Sequence, residues 1–403
     1  KRARLRLGME KPRQFRRTSK EIPPSPFDLR PREVATPPDK EDYAEDSERD
    51  DNEKENHAYP VDGTVHCEAL EGDRPFWKIF TDVRSLGKGH FAKVEQVRHR
   101  ETSEDFAVKI LDKTLDDNDV NDLIREFTML KNLTHQNIVR LYAAYESPRI
   151  LYLVMELATG GELVQRLGSN DVTEVYSEDA MKRHMRTIIE AVQYMHSKSI
   201  AHRDLKPENV LLSDATDLST IKIVDLGLSR FFDASKPMRT VCGTHKYLAP
   251  ELVECDRGTL RGYDKAIDMW GVGLLAYIML FGFNPFAKSS QRETHNAILR
   301  CSWSFPEGYS VSADAQDLIS QLMVKVPSQR LTADAALHTA WFSPNAPRSP
   351  GSLMTSEPSR SVKDKLSEFN RERVLSKAIK GAYRRVTSPR NATAAGTATK
   401  VSV

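Results

Sequence analysis

Residues 201–210 read AHRDLKPENV. Asp204, Lys206, Glu208 and Asn209 crowd polar chemistry into six residues, between apolar Ala201 and Val210. Upstream, EDAMKRHMRTIIEAVQYMHSKS sets Met181, Met185, Ile188, Val192 and Met195 on one face of a helix. Downstream, IKIVDLGLSR (221–230) is an apolar strand that runs into Asp225, Leu226 and Gly227. An acid followed by glycine at the end of a buried strand suggests a metal ligand on a hinge. Further out, alternating apolar residues predict antiparallel strands in FTDVRSLGKGHFAKVEQVRHR and DFAVKILDK. NDVNDLIREFTMLKNL has helical periodicity, and RLYAAYES and ILYLVMEL are further strands. After TGGEL the pattern is mostly helical. The fold class expected is α+β: a small strand-rich lobe before a larger helical one.

The 403 residues are 39% hydrophobic and 29% charged, ordinary for a globular protein, while a mean hydropathy of -0.52 implies polar tails as well. A net charge of +2 gives no global pull towards nucleic acid, and no nucleic-acid partner is expected. Four cysteines (Cys67, Cys242, Cys255, Cys301) lack paired metal spacing and point to reduced thiols in the cytoplasm or nucleus. The basic start lacks a following apolar region, so no secretory signal is expected. The longest apolar run, MWGVGLLAYIMLFGF (269–283), falls short of the ~20 residues of a membrane span and reads as a buried core helix. Residues 1–75 pass from basic to Pro-rich to acidic, and a disordered tail is expected there. Within it, Thr18 and Ser19 follow two arginines in FRRTS, a weak site for an arginine-directed kinase.

LGKGHFAKV places Gly87 and Gly89 between two strands, where backbone N–H groups can approach phosphate oxygens; an ordinary hairpin turn would explain them equally. FAVKI then puts Lys109 on an otherwise apolar strand, and Glu126 lies on the next helix. With His202, Arg203, Asp204, Leu205 and Asn209 spaced as they are, the sequence resembles a eukaryotic protein kinase over about residues 80–342. The resemblance implies a bilobal fold (N-lobe 80–156, hinge and C-lobe 157–342) that uses ATP and Mg²⁺. It implies that Asp204 accepts the substrate hydroxyl proton, Lys206 neutralises the transferred phosphoryl group, and Asn209 and Asp225 hold the metal. Glu126 would pair with Lys109 against the α- and β-phosphates. The nucleotide site would comprise Leu86, Gly87, Lys88, Gly89, Val94, Ala107, Lys109, Glu126, Met155, Glu156, Ala158, Glu162, Leu211 and Asp225. Met155 would be the gatekeeper, with Glu156 and Ala158 presenting backbone groups to adenine. CGTHKYLAPE (242–251) resembles the end of an activation loop, Asp268 the support of the catalytic loop, and Arg330 the partner of Glu251. Three positions depart from the pattern: Ala92 for glycine, Leu226 for phenylalanine and His245 for proline.

DLKPEN and Thr244 indicate Ser/Thr specificity, and LYLVMELATGGEL, MRTVCGT and LTADAALHTAWF resemble the calcium/calmodulin-dependent (CAMK) group. That group implies Glu162 and Glu208 as acids for basic residues preceding the acceptor, Thr244 beside the acceptor, and Thr240 as a target of an upstream kinase. The last segment, 343–403, loosens into SPNAPRSPGS and then carries a basic amphipathic helix at about 365–386. Leu375, Ile379, Tyr383 and Val386 fall on one face, beside six basic residues and one acid between Phe369 and Val386. Such a helix suggests a calmodulin target or a membrane-surface segment, against an incidental basic tail; it resembles an autoinhibitory, calmodulin-binding segment, although Gly381 weakens the helix. The chain has no acidic loop of EF-hand spacing, so calcium would need a separate sensor. The rival is a pseudokinase scaffold, which the three departures favour and the retained charged groups oppose.

Overall fold

The computed structural model describes residues 65–387 apart from 66, 71, 73–74, 89–91, 114–116, 170–176, 218, 233–236, 241 and 344–360. Strand β1 (Cys67–Ala69) and helix α1 (Phe76–Ile79) precede β2 (Phe80–Lys88), β3 (Ala92–His99) and β4 (Asp105–Asp112). Helix α2 (Asp117–Lys131), β5 (Leu141–Glu146) and β6 (Ile150–Met155) complete the first lobe. The sheet order is β1-β5-β6-β4-β3-β2, antiparallel except where β1 runs parallel to β5. Period-two alternation assigns its two faces. Phe106, Val108, Tyr152 and Val154 form one cluster with Phe76 and Phe80 of α1 and β2. Leu111, Leu151, Leu153 and Met155 join the main core. Phe76 stacks on Tyr152 with ring centroids 4.0 Å apart, so α1 plugs the outer face of the sheet.

The expected tail over 1–75 reaches too far. Residues 1–64, with Thr18 and Ser19, lie outside the described residues. Val65, however, is buried in the main core, and β1 closes the edge of the sheet beside β5. An edge strand otherwise presents unpaired backbone groups, and three residues suffice to cover this one.

The second lobe begins with α3 (Leu163–Leu167) and α4 (Glu178–Ser197), then β7 (Ile200–Ala201), β8 (Val210–Leu212), β9 (Ile221–Ile223) and β10 (Arg230–Phe231). Helices α5 (Pro250–Asp256), α6 (Ala266–Phe281), α7 (Gln291–Leu299), α8 (Ala313–Leu322) and α9 (Ala333–Leu337) follow. Helix α10 (Val362–Thr387) ends the described chain. The Ser177 side chain caps α4, and Met181, Met185, Ile188, Val192 and Met195 are all fully buried, as the periodicity requires. Every residue of α6 from Ile267 to Phe281 is buried, so the long apolar run is a core helix. Among the described residues no helix is long and apolar enough to cross a membrane. Gly271 lets α6 approach the catalytic loop closely: a Cβ there would stand 3.0 Å from that of Leu205.

Candidate active site

Two buried polar anchors set the loop at 201–210. Asp268, at the start of α6, accepts hydrogen bonds from the backbone N–H groups of His202 and Arg203, each at 2.8 Å. His196 bonds the same carboxylate at 2.9 Å. Burial alone would raise the Asp268 pKa, but the bond and charge of His196 and those backbone donors hold it below the usual carboxylate range. Arg330 meets Glu251 at 2.7 Å, with both side chains almost wholly excluded from solvent, and joins α5 to the end of the lobe.

On this frame Asp204, Lys206, Asn209 and Thr244 converge. The Lys206 ammonium bonds the Asp204 carboxylate and donates to Thr244 Oγ1 at 2.8 Å. The Thr244 N–H donates to Asp204 Oδ1 at 3.2 Å. Asn209 Nδ2 donates to the Asp204 carbonyl at 2.8 Å, which leaves its amide oxygen as an acceptor. A bond from Val224 N–H to the Asn209 carbonyl, 3.0 Å, ties this loop to the strand entering Asp225.

Lys109 of β4 lies 2.6 Å from Glu126 of α2 and 3.1 Å from Asp225. Burial works against the Lys109 charge, yet the two carboxylates outweigh it and its pKa is raised. Burial likewise opposes the Asp225 charge, and Lys109 overcomes it, so its carboxyl is lowered. Asp225 takes a left-handed backbone conformation (φ 62°, ψ 72°), uncommon for a residue with a side chain. Leu226 is buried in the main core, in a short turn packed against α2. The Asp225 side chain stays 51% exposed. An exposed carboxylate and a neighbouring amide oxygen are hard oxygen donors, which suit a hydrated divalent cation.

The remaining expected nucleotide residues occupy the sheet and the hinge. Gly87 stands opposite Val94, Val94 opposite Lys109, and Ala107 opposite Met155 in register. Leu211 lies on β8, bridged to Glu162, and Leu86 is exposed. Glu156, just past β6, forms an ion pair with Lys222 of β9 at 2.6 Å, a contact that the sequence pattern did not single out. Ala158 follows in the same hinge. Gly89 and the Lys88 side chain lie outside the described residues. At the activation segment, Arg203 and the Tyr263 hydroxyl both donate to the Thr240 carbonyl at 2.6 Å.

Glu162 and Glu208 are brought together by a third residue. Arg373 of α10 lies 2.6 Å from Glu162 and 3.2 Å from Glu208. Burial disfavours its charge, but Glu208 and Glu162 prevail and raise its pKa. The helix is held in place by Val362 and Leu366, both fully buried, and by Asn370, whose amide donates to the Val164 carbonyl at 2.8 Å. The apolar face expected from Leu375 is therefore not the docked one. Leu375 is 62% exposed, and Val374 beside it 56%. Side chains beyond Ser376, including Ile379, Tyr383 and Val386, lie outside the described residues.

The family model for the protein kinase domain matches residues 80–342. Myosin light chain kinase A of Dictyostelium discoideum is 37% identical over 66% of this chain and 89% of its own. Calcium/calmodulin-dependent protein kinase type IV of Mus musculus is 36% identical over 76% of this chain and 62% of its own. The twitchin kinase region of C. elegans superposes with a TM-score of 0.64 at 28% identity, covering 76% of this chain and 52% of that one. The chain spans 65% and 44% of the length of two other Dictyostelium discoideum relatives, a probable myosin light chain kinase and a probable serine/threonine-protein kinase.

Proposed function

The chain belongs to the protein kinase domain family and is a Ser/Thr kinase of the CAMK type, and from this we propose that it is a basophilic enzyme held off by its own C-terminal helix and released by calcium-loaded calmodulin. The observation that carries the proposal is Arg373 lying between Glu162 and Glu208. Those two acids are the ones proposed to take an arginine that precedes the phosphoacceptor. Helix α10 supplies its own arginine to them and denies the subsite to a substrate.

The reaction itself needs positioning and charge stabilisation rather than covalent chemistry. We assign Asp204 to accept the acceptor hydroxyl's proton and to orient its oxygen. Lys206, already bonded to Asp204 and Thr244, stabilises charge on the transferred group. Lys109, fixed by Glu126, would hold the nucleotide phosphates, and Asn209 and Asp225 would hold Mg²⁺, which would supply charge neutralisation to the transferred group. Leu86, Val94, Ala107, Met155, Glu156, Ala158 and Leu211 would enclose the base, and Gly87 would approach the phosphates. Phosphorylation of Thr240 by an upstream kinase would present a phosphate to Arg203, whose guanidinium already contacts the Thr240 backbone.

With Lys109, Glu126 and Asp225 in contact, the phosphate-binding apparatus is assembled while α10 covers the acids. Inhibition then acts on substrate access, and relief requires only that the helix leave. Support for calmodulin comes from the named relative, the basic composition of 369–386 and the exposed Val374 and Leu375, which offer an apolar start to a partner groove. The charged groups all remain, and nothing in their geometry favours a pseudokinase. Phosphorylation of an arginine-bearing Ser/Thr peptide by the full chain, with and without calcium and calmodulin, tests the proposal. A rise of tenfold or so is expected, by the arithmetic of a 1.4 kcal/mol population shift. Equal rates in both conditions would overturn calmodulin control.

A further inference from the structure

His245 stands where kinase loops usually carry proline, and none of the roles above uses it. It follows Thr244, whose N–H and hydroxyl reach Asp204 and Lys206 and so mark where an acceptor hydroxyl must sit. One residue further along the chain is about 3.8 Å away. The His245 side chain is exposed. It is also held in place: Gln291, the first residue of α7, puts its amide Nε2 3.0 Å from His245 Nδ1. An amide nitrogen only donates, so Nδ1 accepts, and the proton of a neutral imidazole is then on Nε2, available as a donor. Proline at this position would offer no donor at all.

A second imidazole backs the first. The His295 ring, also on α7, lies 5.5 Å from that of His245. His295 is buried, and among the described residues its Nε2 has no hydrogen-bond partner. Burial lowers its pKa, His245 and Arg257 act in the same sense, and Asp256 opposes them. Lys246 follows His245 and Arg292 follows Gln291 in the chain, both exposed. The acid nearest in sequence on α7, Glu293, is engaged by Ser289 and Ser290 in the helix cap. Glu162 and Glu208, by contrast, are held by Arg373.

We infer that His245, positioned by Gln291 and backed by His295, is a specificity-determining residue that selects an acidic side chain immediately after the phosphoacceptor. The imidazole, with Nδ1 taken by Gln291, donates to the carboxylate. Together with the acids at Glu162 and Glu208, this defines a substrate with arginine before the acceptor and a carboxylate after it. The placement after the acceptor rests on the proposed role of Glu162 and Glu208 before it.

The test is kcat/KM of the full chain for matched Ser peptides that carry Asp, Asn or Leu directly after the acceptor, each with and without the upstream arginine. Ratios between peptides cancel any inhibition that α10 imposes on all of them. Asp is expected to exceed Leu by roughly tenfold, with Asn between, as for one hydrogen bond to a charged group. The preference should fall to near parity in His245→Leu and diminish in Gln291→Leu, while the response to upstream arginine stays. Leu equal to or better than Asp in the native chain would overturn the inference, as would an Asp preference that His245→Leu leaves intact. Loss of the arginine response alone would instead remove the role given to Glu162 and Glu208.

Discussion

Asp225 and Leu226 are adjacent and do different work. The carboxylate touches Lys109 and stays half-exposed for a cation, while the leucine is buried and faces α2, the helix that carries Glu126. Leucine fills much of the volume of a phenylalanine with no polar cost, so the substitution is one of packing. Asp225→Asn is therefore expected to lower kcat by roughly a hundredfold or more, the scale for loss of a transition-state charge contact. Leu226→Phe should leave kcat within a few-fold. Steady-state kinetics at saturating ATP would show it, and comparable losses in the two variants would refute this division.

Most of this residue-scale arrangement was legible in the sequence, because Lys109, Asp204, Lys206, Asn209 and Asp225 sit in short segments whose spacing is itself the signal. Arg373 was not. It meets Glu208 and Glu162 across 165 and 211 residues of chain. Its selection among six basic neighbours depends on which face of α10 docks. The glutamates expected to bind arginine, and a basic helix at the far end, were the two halves of a signal that only the fold joins.

At the scale of elements, α10 shows why its docked face escaped notice. Val362, Leu366, Phe369, Asn370 and Arg373 recur at helical spacing, as do Leu375, Ile379, Tyr383 and Val386. Periodicity alone cannot choose between two such faces, and the expected start near 365 excluded Val362, one of the two fully buried anchors. Strand β1 was missed for another reason: three residues beside a charged segment carry no period. Burying Val362 and Leu366 contributes about 1.5–3 kcal/mol each to docking, an upper range that a releasing partner must offset. Close approach makes the contact sensitive to one atom. A Cβ on Gly168, just after α3, would lie 2.8 Å from Asn370 Nδ2, 3.1 Å from the Ser367 nitrogen and 3.2 Å from the Leu366 carbonyl carbon. Gly168 has an ordinary right-handed backbone, so alanine is tolerated there by α3 itself. Gly168→Ala is expected to raise basal activity and blunt the response to calcium and calmodulin. Unchanged basal activity and unchanged response would show that α10 does not restrain the enzyme from this groove.

For the whole molecule, stability and the proposed regulation draw on separate groups. His184, on α4, is buried, and among the described residues its Nε2 lacks a hydrogen-bond partner. Burial, with Arg183 adding, pushes its pKa down to about 4, from about 6.5 in an unfolded chain. The unfolded chain therefore binds the proton more readily between those values. The stability that neutral His184 permits is fully present above about pH 6.5 and is lost as pH falls towards 4. Between about pH 7.5 and about pH 5 this amounts to about 2 kcal/mol. Urea unfolding at the two pH values should show the loss in the native chain and a smaller one in His184→Leu; equal losses would assign the acid sensitivity elsewhere.

The proposed regulation would depend instead on the ion pairs of Arg373 with Glu162 and Glu208, with Lys109, Glu126 and Asp225 already in contact. The direct test is the basal kcat/KM of full-length Arg373→Ala, without calcium or calmodulin, for a Ser peptide with an upstream arginine and for its alanine counterpart. Removing the internal arginine frees Glu162 and Glu208, so the account predicts a rise of about tenfold or more for the arginine peptide, mainly through a lower KM, and a much smaller change for the alanine peptide. Basal kinetics identical to the native chain on both peptides would contradict it.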